Sequence, residues 1–143
     1  MLDPQPAQPA NSFAVNRFDH IVINCSDLEA TAAWYAAVLG MTITKFGPSG
    51  RTALSFGNQK INLRPVGALE IDPAWTTATT EAAGSEDLCF IASGSPQAVA
   101  AHLTASGVEI INGPVIKEGA LGKMTSHYCY DPDGNLVEIA VYE

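Results

Sequence analysis

The amino-acid sequence predicts an α+β fold in which a βαβββ module, a connecting stretch and a second βαβββ module follow one another. Three observations predict it. Short segments rich in β-branched and aromatic residues outnumber helical ones, and only two stretches combine helical spacing with a capping signal in front and a glycine behind. Both halves of the chain show these signals in the same order. The spacing between equivalent signals is regular: Gly40 and Gly107 are 67 residues apart, as are His20 and Asp87. Gly57-Asn58 and Gly134-Asn135 are 77 apart, so the second half has gained about ten residues in its loops, as a duplicated unit does.

Residues 1–16 open with MLDPQPAQPA, a stretch with little to bury, and read as a disordered tail. The first module spans 17–66. Residues 18–25 (FDHIVINC) form a strand. Ser26-Asp27-Leu28-Glu29 is a capping box, the Ser26 side chain serving the N3 amide and Glu29 reaching back. A helix over 28–39 carries Leu28, Ala32, Tyr35, Val38 and Leu39 on one face, and Gly40 ends it. Strands follow at 41–46, 52–56 and 60–64, separated by Gly47-Pro48-Ser49-Gly50 and by Gly57-Asn58. Residues 67–85, rich in Ala, Thr, Gly and Pro and holding Trp75, are a linker loop, long for a mere connection. The second module spans 86–143. It begins with a strand over 86–92 (EDLCFIA), then Ser95 as N-cap with Pro96 at N1, then a helix over 97–106 carrying Val99 and Leu103 on one face. Gly107 stops that helix, and strands follow at 108–112, 124–130 and 136–141. Residues 113–123, with three glycines and two lysines, read as a mobile loop. Asp131-Pro132-Asp133-Gly134 reads as the turn between the last two strands. The two modules make one domain.

The chain has 143 residues, 47% hydrophobic and 15% charged, the composition of a folded domain with a real core. Seven Lys and Arg stand against fifteen Asp and Glu, a net charge of −8. Such a chain lacks the basic footprint that neutralises phosphates, which argues against nucleic acid, and an anionic membrane surface repels it. The apolar runs fall far short of the roughly 20 residues that span a bilayer, and the first ten residues have no basic or apolar signal region. Cys25, Cys89 and Cys129 are odd in number, lack C-x-x-C spacing and sit in apolar strands. They read as buried thiols of a protein in the reducing cytoplasm, not as a disulfide framework or structural zinc site.

Chemistry is expected where polar residues interrupt apolar strands. His20 shares a face with Phe18, Val22 and Asn24 by strand alternation. Asp87 holds the matching place in the second half, with Cys89 and Ile91 on its face. Glu138 is the one polar residue in LVEIAV, and a carboxylate there is rarely buried without compensation. Asn62 sits in the equivalent strand of the first half, within one residue of the repeat register. A lone strand histidine or asparagine ordinarily makes a core or edge hydrogen bond; the repeat-related placement is what raises the four together. A His, Asp, Glu and Asn set suits Fe, Mn, Ni, Co or Zn in an open site, and a divalent cation relieves the repulsion of crowded carboxylates. Arg64 lies two residues beyond Asn62 on the same strand face and suits bidentate contact with an anionic substrate group; as a strand-end charge it would instead be plain surface. Just before the final turn, alternation lets either His127 or the pair Ser126 and Tyr128 line a cavity, not both. Nucleophile-elbow, P-loop and dinucleotide-binding motifs are lacking.

The duplication, the opening Phe18-Asp19-His20-Ile21-Val22-Ile23, the Trp34-Tyr35 and Leu39-Gly40-Met41 run and the closing Asp131-Pro132-Asp133-Gly134-Asn135-Leu136-Val137-Glu138 resemble the vicinal oxygen chelate superfamily of glyoxalases, bleomycin-resistance proteins and extradiol dioxygenases. The resemblance covers residues 17–142. Phe56-Gly57-Asn58-Gln59-Lys60-Ile61-Asn62-Leu63 and Gly84-Ser85-Glu86-Asp87-Leu88-Cys89-Phe90 look most like its glyoxalase-domain-containing branch, part of which is described as virulence-associated.

The resemblance implies sheets curled around a cavity with helices outside, and metal ligands on the first and last strand of each module: His20, Asn62, Asp87 and Glu138. His20 and Glu138 match the commonest ligand types of the family; Asp87 and Asn62 depart from its usual His and its usual Gln or Glu. It implies a metal-dependent lyase or isomerase that holds two oxygens of a small substrate and stabilises an enediolate, with Glu138 or Asp87 as proton shuttle or ligand. An extradiol-type ring-cleaving dioxygenase is the second reading. A drug-sequestering protein of the bleomycin-resistance type, which needs no metal and which a charge of −8 would suit for a cationic drug, is the third. A homodimer is expected with any of them.

Overall fold

The computed structural model describes residues 12–143, and residues 1–11 of the expected tail over 1–16 lie outside the described residues. Residues 12–19 run without regular structure into β1 (His20–Cys25). The first module continues with α1 (Leu28–Leu39), β2 (Thr42–Phe46), β3 (Arg51–Phe56) and β4 (Gln59–Pro65). A single-turn helix, α2 (Ala68–Ile71), lies in the connection. The second module is β5 (Asp87–Ile91), α3 (Pro96–Ala105), β6 (Asn112–Gly119), β7 (Gly122–Tyr130) and β8 (Leu136–Tyr142).

Each module folds into one four-stranded mixed sheet, ordered β1-β4-β3-β2 and β5-β8-β7-β6. The last three strands of a module form an antiparallel meander, and the first lies parallel to the last. That parallel contact requires a crossover, which α1 and α3 supply. Asp27 caps α1: its Oδ1 accepts from the Ala30 amide at 3.0 Å. The cap falls one residue later than the capping box predicts. Asp27 adds a negative charge to the positive helix end, while the Ser26 amide is drawn off to Asp133 Oδ2 at 3.1 Å. Ser95 caps α3 as expected, accepting from the Ala98 amide at 3.1 Å.

The strand expected at 108–112 and the mobile loop expected at 113–123 need correction. The Val108 amide closes the end of α3 on the Leu103 carbonyl at 2.9 Å, and the strand starts only at Asn112. Residues 113–123 form most of a β6–β7 hairpin, its register running from Val115↔Ser126 to Gly119↔Gly122. Two of the glycines there, Gly113 and Gly119, serve packing. Gly113 has φ +135, and a Cβ on it would lie 2.8 Å from the Ser126 carbonyl oxygen and 2.9 Å from His127.

One apolar cluster joins the modules. Ile23, Leu54, Ile61 and Leu63 of the first sheet and Cys129, Val137 and Ile139 of the second meet around Tyr35 and Leu103. Each such side chain fully buried contributes roughly 1.5–3 kcal/mol. Phe56 and Phe90 meet edge to face across the halves at 5.6 Å. His102 Nε2 lies 2.8 Å from the Val38 carbonyl oxygen at the end of α1. The closing turn is tied to the same core. The Asp131 carboxylate accepts from the amides of Asp133 and Asn135, each at 2.9 Å, from Asn135 Nδ2 at 2.7 Å and from the Tyr35 hydroxyl at 2.8 Å. The Asp-Pro-Asp-Gly-Asn run is therefore a clasp between modules.

Alternation then fixes the other face of each sheet, away from the helices. On the first sheet it carries His20, Val22 and Asn24 of β1, Lys60, Asn62 and Arg64 of β4, and Arg51 and Ala53 of β3. On the second it carries Asp87 and Cys89 of β5, Glu138 and Ala140 of β8, and Met124, Ser126 and Tyr128 of β7. These two helix-free faces hold nearly all the candidate residues.

Candidate functional site

Strand register makes Asn62 and Glu138 strict counterparts. Val22 of β1 pairs with Asn62 on β4, and Cys89 of β5, 67 residues after Val22, pairs with Glu138 on β8. Glu138 is 9% exposed and its Oε2 accepts from the Ser126 hydroxyl at 2.6 Å. Tyr128 is its direct neighbour on β7. Burial, then the nearby Glu138, raises the Tyr128 phenol to about 12. Cys89 is exposed as a residue, yet local burial of its thiol and then the Glu138 charge raise it to about 11. At neutral pH both groups keep their protons and face an acceptor. The open choice before the final turn falls to Ser126 and Tyr128. His127 points to the helix side, 2% exposed, its Nδ1 buried without a hydrogen-bond partner and its pKa lowered by burial.

His20 opens β1 and Asp87 opens β5, both exposed. His20 Nδ1 lies 2.8 Å from Asp19 Oδ1. A carboxylate only accepts, so Nδ1 carries the hydrogen; in the neutral ring Nε2 then keeps its lone pair, the arrangement by which a carboxylate orients a metal-binding imidazole. The hydrogen bond from His20 lowers the Asp19 pKa. His20 also lines a cleft of about 140 Å³ at the seam of the modules, with Phe18, Phe56, Lys60, Cys89 and Phe90. Asn62 Oδ1 is buried and has no hydrogen-bond partner. Among the described residues no three His, Cys, Asp or Glu side chains stand together as a cation site. Asp87 is thus not gathered with His20 and Glu138 into one cage.

Arg64 is 4% exposed and does not reach bulk water. Its Nε donates to Asn24 Oδ1 at 3.0 Å. Residues 72–85 lie over it: Nη1 meets the Thr76 carbonyl at 3.5 Å, Glu81 Oε1 stands 3.8 Å from Nε, and the guanidinium is 6.0 Å from the Trp75 ring centre. Arg51 stacks on the same tryptophan, 3.5 Å from the ring centre, and Lys60 Nζ lies 3.7 Å above the Phe46 ring. Three of the chain's seven cations therefore share one sheet face. Asn24 was legible by alternation with His20. Glu81 and Trp75 carried no signal, because their stretch has no periodicity.

Residues 17–139 match the model of the Glyoxalase/Bleomycin resistance protein/Dioxygenase superfamily. The chain belongs to this superfamily. Glyoxalase domain-containing protein RDO1 of Mycosarcoma maydis is 39% identical over 140 residues, covering 98% of this chain and 76% of that protein. Virulence protein STM3117 of Salmonella typhimurium is 41% identical over 128 residues, covering 90% and 85%. The solved integron cassette protein VCH_CASS1 of V. cholerae superposes with a TM-score of 0.85 at 40% identity, covering 92% of this chain and 98% of that one. Lactoylglutathione lyase from Agrobacterium tumefaciens and the antibiotic-binding protein TnmS3 from Streptomyces sp. CB03234 share the superfamily fold, with TM-scores of 0.70 and 0.69 at 21% and 19% identity. Two βαβββ modules, each with one mixed sheet, are thus both the predicted and the observed architecture, and the sheets are not closed. No helix of the described residues is long and apolar enough to cross a membrane.

Proposed function

We propose that this glyoxalase-superfamily chain is a metal-dependent lyase or isomerase acting on a small oxygen-bearing substrate. The observation that carries the reading is the buried, unpartnered Oδ1 of Asn62, placed in the same strand register as Glu138. An orphaned acceptor of this kind is costly unless something electropositive meets it. His20, with Nε2 free, Asn62 through Oδ1 and Glu138 through its second oxygen would hold a divalent cation. That set is one imidazole, one amide oxygen and one carboxylate. The cation, when bound, acts as a Lewis acid toward two substrate oxygens.

The chain's own residues do the rest. Glu138 takes a proton from the substrate carbon on Oε2 and returns it to the neighbouring carbon. Ser126, hydrogen-bonded to that oxygen, orients it and leaves the second oxygen for the cation. Tyr128 and Cys89, strand neighbours of Glu138 that keep their protons at neutral pH, offer the carboxylate further donors as its charge comes and goes. The seam cleft beside His20 offers Phe18, Phe56 and Phe90 to an apolar part of the substrate and Lys60 to a charged one. One histidine, one amide and one carboxylate differ from the two-histidine, one-carboxylate set of iron oxygenases, so ring cleavage is the weaker reading.

Metal content tests the proposal. Wild-type protein dialysed against Mn, Co, Ni or Zn should retain about one ion by plasma mass spectrometry, and His20→Ala with Glu138→Gln should retain none. Unchanged content in the double variant overturns the ligand set. A wild type that retains no metal would overturn the metal-dependent reading and favour the metal-free, ligand-sequestering one.

A further inference from the structure

The segment over Arg64 is built in an unusual way. Arg64 is buried on the helix-free face of the first sheet, and its one short hydrogen bond, 3.0 Å to Asn24 Oδ1, is to the sheet itself. Every contact that residues 72–85 make to it is long: 3.5 Å to the Thr76 carbonyl and 3.8 Å to Glu81 Oε1. That Glu81 oxygen is buried and has no hydrogen bond. Well-made pairs of guanidinium and carboxylate are bidentate and stand at about 2.7–2.9 Å. Two of the segment's other polar ties are as long, Asn24 Nδ2 to the Ala82 carbonyl at 3.5 Å and Arg51 to Asp72 at 4.0 Å, while Trp75 is held closely under Arg51 at 3.5 Å from the ring centre. A buried cation and a partly exposed carboxylate, its nearer oxygen buried, thus face each other without completing their bonds, an arrangement that costs free energy.

We propose that Glu81 is an internal stand-in for the ligand's anionic group, and that a small organic carboxylate displaces it from Arg64. The free ligand can do what Glu81 cannot. Glu81 is held on a chain segment that stops short of the guanidinium, whereas a free carboxylate can turn both oxygens onto it. Lys60 and Arg51 on the same face add to the attraction for an anion in a chain that is otherwise acidic. Asn62 is two residues, about 6.6 Å, along the same strand face. An anion held by Arg64 is therefore within reach of the proposed reaction centre only if it is a few bonds long. This inference rests on the reading of the helix-free face as a small-molecule site; it does not rest on the metal.

Binding of acetate and of 2-hydroxypropanoate to the full chain tests it, in the presence of EDTA, read by Trp75 fluorescence in a Trp34→Phe background. If Glu81 occupies Arg64 in roughly nine of ten molecules, removing it tightens apparent affinity about tenfold. Glu81→Gln should show that gain for both carboxylates and none for acetamide. Arg64→Lys should weaken binding in the Glu81→Gln background, and Arg64→Ala should abolish it there. Equal affinity of wild type and Glu81→Gln, or binding that survives Arg64→Ala with the melting transition intact, overturns the proposal. The metal content of Arg64→Ala separates the two accounts: it should equal that of wild type, whatever the anion result.

Discussion

Asp131→Ala is the perturbation whose cost the structure defines best. The carboxylate receives four donors: the Tyr35 hydroxyl at 2.8 Å, Asn135 Nδ2 at 2.7 Å and the amides of Asp133 and Asn135 at 2.9 Å each. A hydrogen bond to a charged group contributes about 1.5–3 kcal/mol, but the four do not add, since they share one acceptor. The turn amides can find water once freed. Tyr35 cannot, because it is 0% exposed and its hydroxyl would be stranded in the core. The variant is therefore expected to lose about 3–5 kcal/mol, a large part of the roughly 5–15 kcal/mol that holds a domain folded. Tyr35→Phe removes only the donor and leaves Asp131 three others, for about 1–2 kcal/mol. Urea denaturation measures both as a lower midpoint at unchanged slope. A loss under about 1 kcal/mol for Asp131→Ala would refute the clasp between modules.

Three further outcomes follow from the same geometry. Burial lowers the His127 pKa from the ordinary 6.5, so in the window below pH 6.5 the unfolded chain binds the extra proton and stability falls as pH falls through it; His127→Leu should flatten that stretch of the stability–pH curve, and an unaltered curve would contradict it. Cys89, raised to about 11 partly by Glu138, should react slowly with iodoacetamide at pH 8 and faster in Glu138→Gln, by peptide mass spectrometry, while buried Cys25 and Cys129 stay unmodified in both; equal rates at Cys89 would deny the contact. Gly113→Ala should cost about 1–3 kcal/mol, from its positive φ and its clash with the Ser126 carbonyl, and an unshifted melting temperature would contradict the close approach.

Much of this was legible in the chain. The helix over 28–39, both N-terminal caps to within a residue and the repeat order follow from local rules that tertiary contacts did not override. Glu138, Ser126 and Tyr128 meet as alternation allows, because a strand leaves few choices of face. β6 was misplaced because glycines at 113, 119 and 122 mimic a loop signal, although Gly113 serves close backbone packing, Gly119 makes room for the Tyr142 and Met124 side chains, and Gly122 supplies a positive φ at the hairpin turn. Cys89 looked like a core thiol from its apolar neighbours, yet it lies on the exposed face of an edge strand, which only the sheet order reveals. The cover over Arg64 could not be read at all, since long-range contacts such as Arg64 to Glu81 leave no periodic trace in a segment of small residues.

The central claim is a cation held by the first and last strands of the two modules. Anomalous diffraction from crystals of wild-type protein grown with cobalt or manganese tests it most directly. The account predicts one strong peak bound by His20 Nε2, Asn62 Oδ1 and Glu138. A fully loaded crystal whose peak lies elsewhere, on Asp87 at the surface or nowhere on the helix-free faces, would contradict it.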